Sequence, residues 1–356
     1  MKRFLFTAFI TLCFFVAKAQ PPAGYYDPAN GKTGTVLQQA LHDIIDNHTQ
    51  VTYTQLWSYF QNTDKRSDGK VWDMYSDIPG GTPPYEFVFG TDQCGSYNGE
   101  GDCYNREHSW PQSWFGGSVA PMYTDMFHLI PTDGYVNNMR GNYAFGDVGT
   151  ASWTSLNGSK IGNCVDAGFS GTVFEPHDGY KGDFARNYFY MATRYFHEDT
   201  GWPGSDMTVG SQFKPWAKAV LLTWSQQDPV SQKEIDRNNA VYSIQHNRNP
   251  FIDHPEYANQ IWGTNVGISD LNAMMPLLVY PNPVTSSCSM MLPPEYNGKN
   301  SIFEVYSSTG MAVNAKMEVK GKEAMLDMSG IPDGLYIMRL ALNNSTTVYQ
   351  ARIIKK

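Results

Sequence analysis

Two strings hold most of the residues able to do chemistry together. The first is Asn105-Arg106-Glu107-His108-Ser109-Trp110-Pro111. The second runs Asp125-Met126-Phe127-His128-Leu129-Ile130-Pro131 and continues through Gly134-Tyr135-Val136-Asn137-Asn138-Met139-Arg140-Gly141-Asn142. A neutral imidazole is the usual general base near neutral pH. A carboxylate beside it offers a hard oxygen ligand to a divalent cation, which stabilises phosphate charge and helps an oxygen leave. Glu107 and His108 are such a pair, and hydrolysis of a phosphodiester is the chemistry they suit. Taken alone, a Glu-His pair is better explained as a solvated carboxylate beside a core histidine; the second string tips the balance. Adjacent side chains on a regular strand face opposite ways, so Glu107 and His108 share a pocket only at a twist or a strand end.

The elements that must position these residues belong to an exported chain. Lys2 and Arg3, the apolar run Phe4 to Val16 and the small-x-small site Ala17-Lys18-Ala19 read as a signal peptide over 1–19. That run is too short to span a bilayer, and no later stretch reaches its length, so the mature chain is expected to be soluble and exported, without a membrane span; a monomer is expected. Lys2, Arg3 and Lys18 leave with it, which takes 26 basic residues to 23 against 34 acidic ones, a net charge of −11. Nucleic-acid binders are mostly basic, because phosphate neutralisation supplies much of their affinity. The balance argues against a tight non-catalytic binder, but it leaves room for an enzyme that uses a cation and a few arginines locally. Cys94 and Cys103 flank a Gly-rich loop, and export permits a disulfide between them. Such a bond would contribute about 2–3 kcal/mol. A zinc site lacks the usual ligand spacing.

The spacing predicts helices from Leu37 to Asn47, from Asp183 to Phe196 and from Pro215 to Gln227. Gly-rich stretches such as GDVGTASW and TGWPGSDM read as loops, so residues 20–263 look like an irregular, mainly helical unit with few strands. After a connector at 264–276 the texture changes. Short β-rich runs (301–306 and 334–340) with turn signals at Ser308-Thr309-Gly310 and Pro332-Asp333-Gly334 read as a small all-β sandwich over 277–356. The expected class is α+β, with the sandwich following the helical core.

The two chemical strings together resemble the endonuclease I family of secreted or periplasmic nucleases with a ββα-metal (His-Me finger) site. The likeness extends through Phe174-Glu175-Pro176, Lys181-Gly182-Asp183-Phe184-Ala185-Arg186, Phe189-Tyr190-Met191 and the run Asn247 to Pro255. It implies that His108 is the general base and that Glu107 and Asn137 are the protein ligands of one divalent cation, Mg²⁺ or else Ca²⁺ or Mn²⁺. It also implies a sequence-nonspecific cutter of DNA and RNA, in keeping with the lack of a recognisable base-reading helix. One departure stands out. Family members place an arginine between the two strings to hold the cleaved phosphate, and here 109–139 contains neither Arg nor Lys. Arg140 and Arg186 are the candidates for that role. The tail, through VYPNPV (279–284), LDMSGIPDGLYIMRL (326–340) and the basic end ARIIKK, resembles the C-terminal sorting domain of the type IX secretion system. This implies passage through that machinery to the outside or the cell surface.

Other polar residues read as structural: His128 as a core histidine, Asp253 and His254 as a hydrogen-bonded corner, Asp183 as a helix-dipole partner, and Trp110 and Trp114 as core. Two rival functions are a surface-displayed binding protein on a decayed nuclease scaffold, favoured by a core of 15 basic and 27 acidic residues, and another metal-dependent phosphohydrolase. The first is disfavoured by the survival of Glu107, His108 and Asn137. The second is disfavoured by the lack of a multi-ligand Asp/His cluster.

Overall fold

The structure, a computed structural model, describes residues 21–263, 274–293, 296, 301–308, 311–342 and 348–356. The export segment and most of the 264–276 connector lie outside the described residues. The chain divides into two compact units, Met1–Thr264 and Asn265–Lys356. No helix among the described residues is long and apolar enough to cross a membrane.

Among the described residues the first unit carries eight α-helices. Helix α1 (Gly34–Ile45) buries Leu37, Leu41 and Ile45 along one stripe, as a helical period dictates. Helices α2 (Leu56–Thr63) and α3 (Gly134–Arg140) are short. Helix α4 (Lys181–Arg194) is buried along every residue and touches α1, as well as α5 (Pro215–Gln227) and α7 (Pro250–Asp253). A helix buried on all sides must pair its polar groups internally, and Lys181, Arg186 and Arg194 each meet carboxylates. Helix α6 (Gln232–Gln245) opens with a Ser231–Glu234 capping box, and α8 (Glu256–Trp262) closes the unit.

Strands β1 (Tyr104–His108) and β2 (Leu129–Asp133) pair antiparallel, with Glu107 opposite Ile130 and His108 opposite Leu129. A second sheet has the order β3-β6-β5-β4, from β3 (Ala144–Phe145), β4 (Val148–Thr154), β5 (Lys160–Cys164) and β6 (Thr172–Glu175). A ribbon of β7 (Thr208–Val209) and β8 (Gln212–Phe213) completes the unit. The unit therefore mixes helices and sheets and has more strands than its sequence pattern implies. GDVGTASW, expected to be a loop, contains β4. This strand lies at a sheet edge, is mostly exposed and is irregular in register, so it needs no apolar alternation. Its partner supplies the fit: a Cβ at Gly162 on β5 would collide with the Thr150 carbonyl of β4.

The second unit is β-rich. One sheet has the order β10-β11-β15-β14 and the other β13-β12-β16-β17-β9. Their strands are β9 (Met274–Pro276), β10 (Val279–Tyr280), β11 (Ser287–Met291), β12 (Ser301–Ser307), β13 (Ala312–Val313), β14 (Lys316–Lys320), β15 (Glu323–Asp327), β16 (Gly334–Leu342) and β17 (Val348–Lys355). Met290 and Leu326 from the first sheet share one apolar core with Met338, Leu340 and Ile353 from the second.

Candidate active site

The site is built where β2 turns into α3. Asp133 ends β2 and accepts the Val136 N–H at 2.8 Å, which starts the helix. Its own N–H donates to Asp73 Oδ2 at 3.0 Å, pinning the corner. Helix α3 then lies against β1 and β2. Asn137, on this helix, donates its side-chain N–H to the Arg106 carbonyl at 3.4 Å. A carbonyl only accepts, so the nitrogen of the amide is committed there and the oxygen is left available.

Arg106, Glu107, His108, Gln112, Asn137 and Asn142 help line one open cavity of about 140 Å³. The two chemical strings thus meet, 104–108 as one strand and 129–140 as the second strand and the helix. His108 is the last residue of β1, and this strand end lets it share the cavity with Glu107.

The imidazole of His108 is held in one tautomer. Nε2 lies 3.0 Å from the Tyr123 carbonyl, which can only accept, so Nε2 carries the proton and Nδ1 keeps its lone pair. Nδ1 accepts from the Gln112 side-chain amide at 3.0 Å, on the cavity wall. Burial of the ring, reinforced by His128, pushes its pKa down to about 3, so it is uncharged over the neutral range. Glu107 is 3% exposed, and its Oε1 accepts from Tyr75 (3.1 Å) and Arg140 (3.2 Å). Burial lifts its carboxyl to about 7 against the pull of Arg140. Oε2 has no hydrogen-bond partner among the described residues.

The arginines anticipated to hold phosphate are elsewhere engaged. Arg140 is fully buried; its terminal nitrogens go to Glu107, the carbonyls of His108 and Ser109 (2.6 Å to the latter), and the Tyr188 hydroxyl (3.0 Å). Arg186, also buried, grips the Glu234 carboxylate with Nε and Nη2 at 2.5 and 2.9 Å and the Asp228 carbonyl with Nη1. Both guanidiniums are buried and tied to protein acceptors, with only Arg140 Nε left unpaired among the described residues, so neither is presented to a phosphate in the cavity. Among the described residues Arg106 is the one Arg or Lys side chain that lines the cavity. The sequence contained a signal for it, since Arg106 lies two residues before His108 on the same strand, just ahead of the cation-free span 109–139.

Other residues fall into the core. His128 is buried with Nε2 donating to the Met122 carbonyl, and Trp110 and Trp114 are buried too. Asp253 accepts from Arg248 and Tyr26 in a buried corner. Asp183 sits in the first turn of α4 beside Arg186. Cys94 and Cys103 are joined by a disulfide, their Cα atoms 5.7 Å apart.

Two strands and a helix thus bring a buried Glu, an uncharged His and the Asn137 amide to one cavity. Residues 33–256 match the model of the family described as Endonuclease I, and residues 278–356 match the Secretion system C-terminal sorting domain. An extracellular ribonuclease of Bacillus subtilis (strain 168) is 39% identical over 266 residues, which cover 71% of this chain and 84% of the relative. An extracellular ribonuclease of Bacillus amyloliquefaciens is 40% identical over 67% of this chain and 78% of its own length. A periplasmic deoxyribonuclease of Aeromonas hydrophila is 30% identical over 37% of this chain and 48% of its own length. The chain belongs to the Endonuclease I family. It is a nuclease that is secreted or displayed at the cell surface, and its family's nucleases are metal-dependent.

Proposed function

We propose that this nuclease hydrolyses phosphodiester bonds of both DNA and RNA, without base specificity, in the cavity beside β1, as a ββα-metal (His-Me finger) enzyme. His108 Nδ1 is the general base. The observation that carries this reading is its tautomer. The Tyr123 carbonyl holds the proton on Nε2, so the lone pair of Nδ1 faces the cavity wall, where only a neutral Gln112 amide competes for it. A water that displaces Gln112 meets a positioned, uncharged acceptor. The ribonuclease and deoxyribonuclease relatives support activity on both polymers.

The donor set fits a hard divalent cation. Glu107 Oε2 is unpartnered in a buried carboxylate, and the Asn137 amide offers its oxygen into the same cavity. Glu107 and Asn137 would hold Mg²⁺, or Ca²⁺ or Mn²⁺ in its place. When bound, the ion supplies charge stabilisation at the phosphate and at the leaving oxygen. Tyr75 and Arg140 meanwhile orient Glu107 from behind. We further propose that 20–263 is the catalytic domain, 264–276 a linker and 277–356 the all-β sandwich read by the type IX secretion machinery, in a chain that acts as a monomer.

Cleavage of plasmid DNA and total RNA tests this. EDTA should abolish both activities, magnesium should restore them, and zinc should restore them poorly because it favours nitrogen and sulfur ligands. Full activity in EDTA would remove the cation from the mechanism, and an unchanged magnesium requirement in Glu107→Ala would remove it from this site.

A further inference from the structure

The described residues of the first unit include seven arginines: Arg66, Arg106, Arg140, Arg186, Arg194, Arg237 and Arg248. Six have a carboxylate within ion-pair distance: Asp77 and Glu86 for Arg66, Glu107 for Arg140, Glu234 for Arg186, Asp46 and Glu198 for Arg194, Asp64 for Arg237 and Asp253 for Arg248. Arg106 has none. In a unit with 27 acidic residues against 15 basic ones, a carboxylate-free arginine stands out. It is also the cation that lines the cavity of Glu107, His108 and Asn137.

Its guanidinium is nevertheless held firmly. It lies 3.7 Å over the Tyr53 ring and 4.2 Å over the Trp57 ring. Nη1 donates to the Tyr53 carbonyl at 2.9 Å. Nε is buried without a partner, and no hydrogen bond engages Nη2 among the described residues. The aromatic contacts continue toward the base: Tyr53 stacks on Tyr123 at 4.5 Å, and Tyr123 on His108 at 5.4 Å. The rings take the faces of the plane, and its edge keeps donors free. This is the arrangement an arginine needs to meet an oxyanion.

We propose that Arg106 holds a non-bridging phosphate oxygen of the nucleic-acid strand in the active cavity, as a substrate-binding residue preset by Tyr53 and Trp57. The inference rests on the catalytic reading above only for the identity of the substrate. On β1, Arg106 and His108 are two residues apart and share a face, so a strand gripped by the one passes the other.

The test uses the full chain and a short phosphorothioate single strand, with binding followed by fluorescence anisotropy in EDTA at several salt concentrations. The His108→Ala background prevents cutting. Arg106→Gln should weaken binding about ten- to a hundredfold and should flatten the slope of log affinity against log salt by about 0.7, the loss of one phosphate contact. Arg106→Lys should recover the slope and part of the affinity, because the charge returns without the planar fork. A folded Arg106→Gln protein with unchanged affinity and slope would overturn the proposal, since an arginine that serves only to pack Tyr53 and Trp57 would lower the melting temperature alone. Should Arg106→Gln not fold, phenylglyoxal labelling of the wild type decides the matter. The oligonucleotide should protect Arg106 in the peptide map, and undiminished labelling at saturation would refute the assignment. Normal cleavage by His108→Ala would sink the catalytic reading and leave this binding result intact.

Discussion

The two units of this chain bury different things. The nuclease unit encloses Asp64, Asp73, Asp125, Glu107, Glu234, Arg140, Arg186 and Arg237, all buried, with the arginines paired to carboxylates and Asp73 and Asp125 held by backbone N–H groups and tyrosine hydroxyls. In the C-terminal unit Lys355 is the one buried charged side chain among the described residues, and its Asp333 partner is largely exposed. Burying a charge is costly unless it is paired and hydrogen-bonded, so a unit that does so repeatedly is tied to one arrangement of its parts. In the nuclease unit this network reaches the site: Arg140 holds Glu107, and Glu107 lines the cavity. The C-terminal core is apolar and converges on no comparable group, as suits a domain that serves as an address.

Mutations can break that contrast. The largest effect belongs to His108→Ala, which should lose roughly 10²–10⁴ in cleavage rate and keep its fold, as plasmid digestion alongside circular dichroism would show. Near-normal cleavage would end the assignment of the base. Arg140→Met comes next. It leaves Glu107 buried without its cation and strips donors from the carbonyls of His108 and Ser109. A loss of about 3–5 kcal/mol is expected, read from urea unfolding of the nuclease unit. A loss below roughly 1 kcal/mol would mean that the buried network is dispensable.

The tail supplies the small end of the scale. Lys355→Met removes a pair whose other member is in solvent, and should cost less than about 1 kcal/mol. A cost matching that of Arg140→Met would erase the difference between the units. Smallest of all, a chain ended after Gly263 should cut within about twofold of the full-length rate, as a domain with its own core does. A soluble, folded but inactive truncation would make the tail part of the enzyme.

Much of the site was legible because its signals are local. Glu107 and His108 are neighbours, so residue type and order suggested them as a pair, while Asn137, in a string whose helix begins at the Asp133 cap, entered through the family resemblance. The change of texture after 263 was equally local, since alternating β-rich runs separated by turns need no knowledge of their partners. Strand β4 was missed for the opposite reason. Its small, polar, exposed residues carry no pattern, and it exists because β5 offers it hydrogen bonds and the space above Gly162.

The arginines mark the boundary between the two kinds of knowledge. Sequence by itself determined that 109–139 carries no cationic side chain, and it offered Arg140 and Arg186 as candidates for the phosphate. Only the tertiary structure decided against them, because the fate of a guanidinium depends on which carboxylate reaches it. Glu107 reaches Arg140 from 33 residues away and Glu234 reaches Arg186 from 48. It likewise decided that Tyr123 fixes the His108 tautomer and that Tyr53 and Trp57 hold Arg106 toward the cavity. Charge and residue type are written along the chain, but burial and partnership are properties of distant segments brought together, and these determine which charges remain free to meet a substrate.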